Sequence, residues 1–250
     1  MPEMIPALVY LFPLDDLATF QPCAERWART KLEFPPRYEH TQHIVYCNGM
    51  VQEWQRAIFK SIPHIEHTFM GPGWDIGTYQ HMANIIDDEF VVFMNARVHF
   101  NRAGWLARLM EARLSLGDGL YALSTSNEVS YPVSGPVKIK PNPHVRTACF
   151  GCNPNTLRRF PYTIDSRIKG FYFESGMWNM SHWYEDMGYP IHFVTWDGVY
   201  AKPDWRKPPN IFRRGDQSNL LVCDRHTEMF ANGDAQLRRN LAKVADEGEL

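Results

Sequence analysis

Apolar and polar positions fall into blocks along the first half of the chain. The clearest block is Phe90-Val91-Val92-Phe93-Met94, set between Asp87-Asp88-Glu89 and Asn95-Ala96-Arg97. An apolar run with polar limits on both sides predicts a strand buried on both faces, as in a parallel sheet. Helical patterns flank it: Ile76, Tyr79, Ala83 and Ile86 recur at spacings of three and four, as do Trp105, Leu109, Ala112 and Leu116. In open α/β sheets, ligands bind beyond the carboxyl ends of the strands, which makes Asn95-Ala96-Arg97 the first place to look for function.

The same reading extends in both directions. Ala7–Phe12 predicts a strand ended by Pro13, after which Asp15 or Asp16 can cap a helix running through Trp27 to a stop at Pro35-Pro36. His43–Cys47 predicts a second strand, Val51–Ile62 a helix with Trp54, Ile58 and Ile62 on one face, and Ile65–Met70 a third strand. Strands alternating with helices imply a doubly wound, mostly parallel sheet flanked by helices, an α/β fold. Past Leu116 the rhythm loosens. Gly119–Ser124 predicts a strand, Asn127–Pro143 a long loop, His144–Phe150 a strand and Asn155–Phe160 a short helix. Ile168–Phe173 reads as an extended apolar stretch that delivers Glu174 to a strand end. A helix to Met187 follows, then a strand at Ile191–Thr195, a loop over Ala201–Gly215, a compact stretch over Gln217–Phe230 and a frayed surface helix at the end. No internal repeat or domain linker stands out. A single domain is expected over residues 1–250.

Composition narrows the function. In 250 residues, 44% are hydrophobic and 22% charged, values of an ordinary globular protein. The net charge of −2 lacks the basic excess of a sequence-independent nucleic-acid binder, so no nucleic-acid partner is expected. No apolar run approaches the ~20 residues that span a bilayer, and no secretory signal is visible. The five scattered cysteines fit reduced thiols in the cytoplasm, and Cys149-Phe-Gly-Cys152 lacks the context of a redox or zinc motif, so two buried thiols are expected there. Neither a GxGxxG fingerprint nor a Walker A loop follows the first strand.

The order of GWDIGTYQHMAN, DEFVVFMNARVHF, AGWLARLMEA, HVRTACFG and FESGMWNMSHWYEDMG, spread over roughly residues 5–200, resembles the GT-A glycosyltransferases, family-2-like members above all. The resemblance implies a single GT-A-like domain, with residues 1–125 as a nucleotide-binding half and 126–250 as an acceptor-binding half and C-terminal tail. It also implies a hexosyltransferase-type enzyme of polysaccharide biosynthesis. Such an enzyme moves a sugar from a nucleotide-diphosphate donor to a glycan or lipid-linked hydroxyl acceptor, with peripheral membrane contact allowed. At the family's acidic Asp-x-Asp motif, which holds a divalent ion, this chain has Asn95-Ala96-Arg97. An amide and a guanidinium suit Mn²⁺ or Mg²⁺ poorly, since hard cations prefer carboxylate oxygens. No cofactor is therefore expected, and Arg97 could stand in for the metal by a bidentate contact to phosphate, or else pair with Asp75 or Glu174, or reach solvent.

The resemblance also implies roles for other residues. Asn48 stands where the nucleotide base is met, though Asn48-Gly49 is also a turn sequence. Asp75 can cap its helix, contact the donor, or both. Glu174 is the candidate base of an inverting displacement, with helix capping or core pairing as the plainer role. His144 and Arg146 share a strand face and could bind phosphate or acceptor, or form a buried pair. His226, beside Asp224-Arg225, is the candidate C-terminal histidine, and Arg213-Arg214 could close over the diphosphate or lie on a solvated face. Asp186, Asp197 and Asp216 are further carboxylates to weigh as base. Two rivals remain: a catalytically inactive nucleotide-sugar or glycan-binding protein of the same fold, and a sugar nucleotidyltransferase. The second needs a glycine-rich basic loop that Phe12-Pro13-Leu14-Asp15 does not supply.

Overall fold

A computed structural model describes residues 4–128, 141–176 and 178–248. β1 (Ala7–Pro13) leads through α1 (Leu17–Glu33) to β2 (Thr41–Cys47), then through α2 (Glu53–Arg56) to β3 (Ile65–Phe69). α3 (Trp74–Ile85), β4 (Val91–Met94), α4 (Trp105–Leu116) and β5 (Leu120–Ala122) follow. Next come a two-residue ladder of β6 (Thr125–Ser126) with β7 (His144–Val145), then β8 (Cys149–Cys152), α5 (Pro154–Arg158), α6 (Arg167–Ser175), α7 (Met180–Asp186) and β9 (Ile191–Val194). β10 (Val199–Tyr200), α8 (Arg225–Asn232) and α9 (Ala235–Glu247) complete the order. The long loop expected at Asn127–Pro143 lies mostly outside the described residues.

The described strands form one eight-stranded sheet in the order β10-β9-β5-β8-β4-β1-β2-β3. β3, β2, β1 and β4 run parallel, β8 lies antiparallel between β4 and β5, and β9 is again parallel to β5. β4 is buried on both faces as expected, but only its β1 side is parallel. Helices cover both faces. Val9, Leu11, Val91 and Phe93 pack with Tyr79, Met82, Phe173 and Tyr184 from α3, α6 and α7. The alternate residues Leu8, Tyr10, Val92 and Met94 pack with Trp27, Trp105 and Leu109 from α1 and α4. This is the doubly wound, mostly parallel α/β sheet that the block pattern predicts. The chain moves outward from β1 to β2 and β3 and then returns to lay β4 on the other side of β1. A crevice therefore opens between the carboxyl ends of β1 and β4.

Several expectations are corrected. Val51–Ile62 is not a continuous helix: α2 is four residues long, Ala57–Phe59 is a 3₁₀ turn, and Trp54 is exposed while Gln55 and Phe59 are buried. Ile168–Phe173 is helical, because Ser166 caps α6 through the Lys169 N–H and Phe173 is drawn into the core. Glu174 therefore sits in the last turn of a helix, not at a strand end. His144–Phe150 breaks after Val145, and Thr147-Ala148 form a turn before β8. The terminal helix is not frayed: Ala245 is buried, and Asp246 pairs with Arg206 at 2.6 Å and Arg214 at 2.9 Å. Cys149 and Cys152 are free buried thiols, as expected.

One backbone contact on α3 bears on the site. The Ile164 carbonyl oxygen nests against Gly73 and Gly77, and a Cβ at Gly77 would lie 2.7 Å from it. Gly73, at φ 97°, occupies left-handed space that glycine enters without cost. Gln80 ties down the same segment, donating to the Tyr162 carbonyl at 3.0 Å and accepting from the Ile164 N–H at 2.9 Å. The starts of α3 and α6 are thereby held together.

Candidate functional site

At the crevice between β1 and β4 lies a cleft of about 340 Å³. The exits of β1 (Pro13, Asp15), β2 (Asn48) and β4 (Asn95-Ala96-Arg97) line it, together with the turn entering antiparallel β8 (Arg146-Thr147-Ala148). The Asn95 N–H donates to the Ala148 carbonyl at 2.9 Å and the buried Tyr10 hydroxyl to the Ala96 carbonyl at 2.9 Å, so β4's exit is fixed from both sides.

One wall is cationic. The Arg97 N–H donates to Asn95 Oδ1 at 3.0 Å, and its guanidinium lies 5.0 Å from the Phe20 ring of α1. Among the described residues it pairs with neither Asp75 nor Glu174, and its charge is unneutralised at the cleft. Arg225, exposed at the start of α8, is a second such cation. His226 lies beside it, with Nδ1 3.3 Å from Arg213 Nη2; burial, then Arg146, holds its imidazole below the ordinary value and so neutral at pH 7.

The floor carries the acids. Asp75, in the first turn of α3, is pushed up to about 6 by burial and by the charge of Glu174, against hydrogen bonds from Asn95 and the Ile76 N–H. Glu174 accepts the Thr147 N–H on Oε1 at 2.9 Å, which orients the carboxylate and leaves Oε2 for other work. A further part of the lining is aromatic. Trp74 is 52% exposed, and the Arg167 guanidinium lies 5.6 Å from its ring and 5.3 Å from that of Phe171.

Of the residues singled out in the sequence, Asn48, Asp75, Asn95, Arg97, Arg146, Glu174 and His226 all line the cleft. Asn48 also makes its turn, at φ 59°. His144 does not line it; the ring is buried, Nδ1 donates to the Asn142 carbonyl at 2.8 Å, and burial holds the imidazole below the ordinary value. Arg146 reaches the cleft already neutralised: Nη1 donates to Asp224 Oδ2 at 2.7 Å, and the guanidinium lies 3.9 Å from the Phe212 ring. Burial would raise the Asp224 carboxyl, but Arg146, His226 and the Thr227 N–H hold it below the usual range.

Arg213 and Arg214 do not form a solvated face. Arg213 is buried against Glu128 at 3.1 Å and Arg214 is tied to Asp246. Asp186 accepts from Trp178 Nε1, Asp197 from Thr195 and Tyr200, and Asp216 from the Ser218 N–H; none lines the cleft. The sequence reading missed Phe20, Trp74, Thr147, Arg167 and Phe171. The signal that could have revealed α6 is its cap, Ser166, with Arg167, Phe171 and Glu174 then falling on one helical face.

The divalent ion implied by the GT-A resemblance finds a poor donor set. Among the described residues no group of three or more His, Cys, Asp or Glu is arranged to hold a metal ion, and Asp224, a further carboxylate at the cleft, is committed to Arg146.

No protein-family profile and no curated protein sequence matches the chain. Solved structures with a similar arrangement include mouse xyloside xylosyltransferase 1 in its apo form, 10% identical, TM-score 0.44, covering 74% of this chain and 82% of that one. A mannosyltransferase from Pyrobaculum calidifontis in complex with GDP-Man and Mn²⁺ is 9% identical, TM-score 0.44, covering 64% and 49%. CMP:2-keto-3-deoxy-manno-octonic acid synthetase complexed with CTP is 7% identical, TM-score 0.48, covering 76% and 89%.

Proposed function

We propose that the protein is an inverting glycosyltransferase that moves a sugar from a nucleotide-diphosphate donor to a hydroxyl acceptor, without a divalent metal. The observation that carries this reading is the pairing of two unneutralised cations, Arg97 and Arg225, with an oriented carboxylate, Glu174, in one cleft at the sheet's switch point. Asn48 and Asp15 offer polar partners for the base and ribose at the exits of β2 and β1.

In the proposed step, an acceptor hydroxyl attacks the anomeric carbon from the face opposite the diphosphate. Its proton passes to Glu174 Oε2, the bond from the anomeric carbon to the phosphate oxygen breaks, and the electron pair leaves with the diphosphate. Arg97 and Arg225 stabilise the charge that develops there. One displacement inverts the configuration. The Thr147 N–H keeps Glu174 aimed during the step.

A thermal-shift series with UDP, GDP, dTDP and CMP species tests the reading. A ligand at 100 times its dissociation constant stabilises by about 2.7 kcal/mol, which moves the melting temperature by roughly 5–10 °C for a chain of this size. No shift from any of them removes the proposal. A binding-only protein of the same fold is the second reading, favoured by the loss of the acidic motif at Asn95-Ala96-Arg97. It would give the shift but no turnover with any acceptor. No helix among the described residues is long and apolar enough to cross a membrane.

A further inference from the structure

The aromatic wall carries a feature that donor chemistry leaves unused. Arg167, Phe171 and Glu174 stand at i, i+4 and i+7 on α6, and so share the helical face that lines the cleft. At 1.5 Å per residue the Arg167 position lies about 10 Å from that of Glu174 along the helix axis, a distance spanned by a disaccharide. Arg167 is exposed and has no acidic partner among the described residues; its guanidinium is held near the Trp74 and Phe171 rings instead. Trp74 is half exposed at φ 57°, a left-handed conformation unusual for a bulky residue. Both Trp74 and its neighbour Asp75 line the cleft.

Donor phosphates have their cations elsewhere. Arg97 lies against Phe20 of α1 and Arg225 opens α8, so cations on elements other than α6 are on hand for them. Resting on the glycosyltransferase reading, we infer that Trp74, Arg167 and Phe171 form an acceptor subsite for an anionic sugar. Its ring packs on the aromatic side chains, and its carboxylate or phosphate meets Arg167 while a hydroxyl is presented to Glu174 on the same helical face. Aromatic faces cover the apolar faces of a sugar ring, and a planar guanidinium pairs two oxygens of a carboxylate or phosphate at once. A neutral acceptor would leave that guanidinium without a counter-charge. The subsite therefore selects acidic acceptors.

The test uses a panel of short oligosaccharides in three sets: neutral, uronate-bearing and phosphate-bearing, with the methyl esters of the uronates as matched uncharged controls. Binding is measured to wild type, Arg167→Gln, Arg167→Lys and Trp74→Ala, with and without a saturating nucleotide diphosphate. Anionic members should bind, and R167Q should weaken them about 10- to 100-fold, the worth of a charge-assisted hydrogen bond. R167K should recover part of the loss, and methyl esters should bind wild type and R167Q equally weakly. The uronate and phosphate sets separate the two sources of the charge. Melting temperatures should stay near wild type, because Arg167 and Trp74 are exposed. Binding confined to neutral glycans, anionic binding indifferent to R167Q, or no glycan binding while nucleotide binds, each overturns the subsite. Absence of nucleotide binding with R167-dependent anionic binding intact would instead remove the glycosyltransferase reading and leave the subsite standing.

Discussion

Asp75 and Glu174 share one cleft and neither forms an ion pair among the described residues, and replacing Asp75 by Asn should make the protein more stable by an amount that depends on pH. The Asp75 carboxyl moves from its usual 3.8 up to about 6, first through burial and then through the charge of Glu174. A carboxyl raised on folding binds its proton more tightly in the folded state. The folded protein is therefore favoured at low pH, and that advantage is lost as pH rises through the interval from 3.8 to 6. At 1.36 kcal/mol per pKa unit, ionised Asp75 costs the fold at most about 3 kcal/mol at pH 7.5, and only about 0.5 kcal/mol at pH 4. Asn keeps an acceptor for the Ile76 N–H and a partner for the Asn95 amide while removing the charge. Asp75→Asn should thus gain up to about 3 kcal/mol at pH 7.5, roughly 6–12 °C in melting temperature, and almost nothing at pH 4. The assay is a pair of thermal and urea melts of both proteins at each pH. Equal gains at the two pH values, or no gain at pH 7.5, would refute the account of the cleft's electrostatics.

Glu174→Gln should lower turnover by about 10²–10⁴-fold, the usual worth of a positioned base, with donor affinity unchanged in a binding titration. Transfer at near wild-type rate would take Glu174 out of the chemistry. Arg97→Gln should weaken nucleotide-diphosphate binding by about tenfold or more without lowering the melting temperature, because Arg97 makes no ion pair among the described residues; unchanged affinity would place the diphosphate elsewhere. Donor binding and turnover should persist in EDTA. A complete loss restored by Mn²⁺ would put a metal on ligands other than Asn95 and Arg97.

The sequence was legible where the signal was local. Phe90–Met94 is the sheet's buried fourth strand, Asp16 caps α1 through the Thr19 N–H, and Asn48 makes the turn that Asn-Gly foretells. It misled where tertiary partners decide. Ile-Lys-Gly-Phe-Tyr-Phe carries β-favouring residues, yet the cap at Ser166 and the burial of Phe173 make it helical. The break after Val145 depends on partners far along the chain, the Thr147 N–H meeting Glu174 and Arg146 meeting Asp224. No periodicity encodes such contacts. Thus the sequence leaves Arg146 open between a ligand contact and a buried pair with His144, and in the fold its partner is Asp224. The capping box of Asp224 with Thr227 was the only local sign that Asp224 is structurally committed.

The nesting of the Ile164 carbonyl against α3 means that the geometry of the acids is encoded outside the cleft. Asp75 rides on α3 and Glu174 on α6, and the two helices are gauged against each other by a backbone contact that admits no methyl group at Gly77. Gly77 has no left-handed backbone to protect, so its constraint is one of thickness alone. An alanine there would set its Cβ 2.6 Å from the Pro72 carbonyl oxygen and 2.7 Å from that of Ile164, so the turn before α3 or the segment leading into α6 must shift although no lining side chain is changed. A mutational library confined to residues that touch substrate would pass over this position. One that includes it samples the acid–acid spacing directly, independent of the chemistry of either acid.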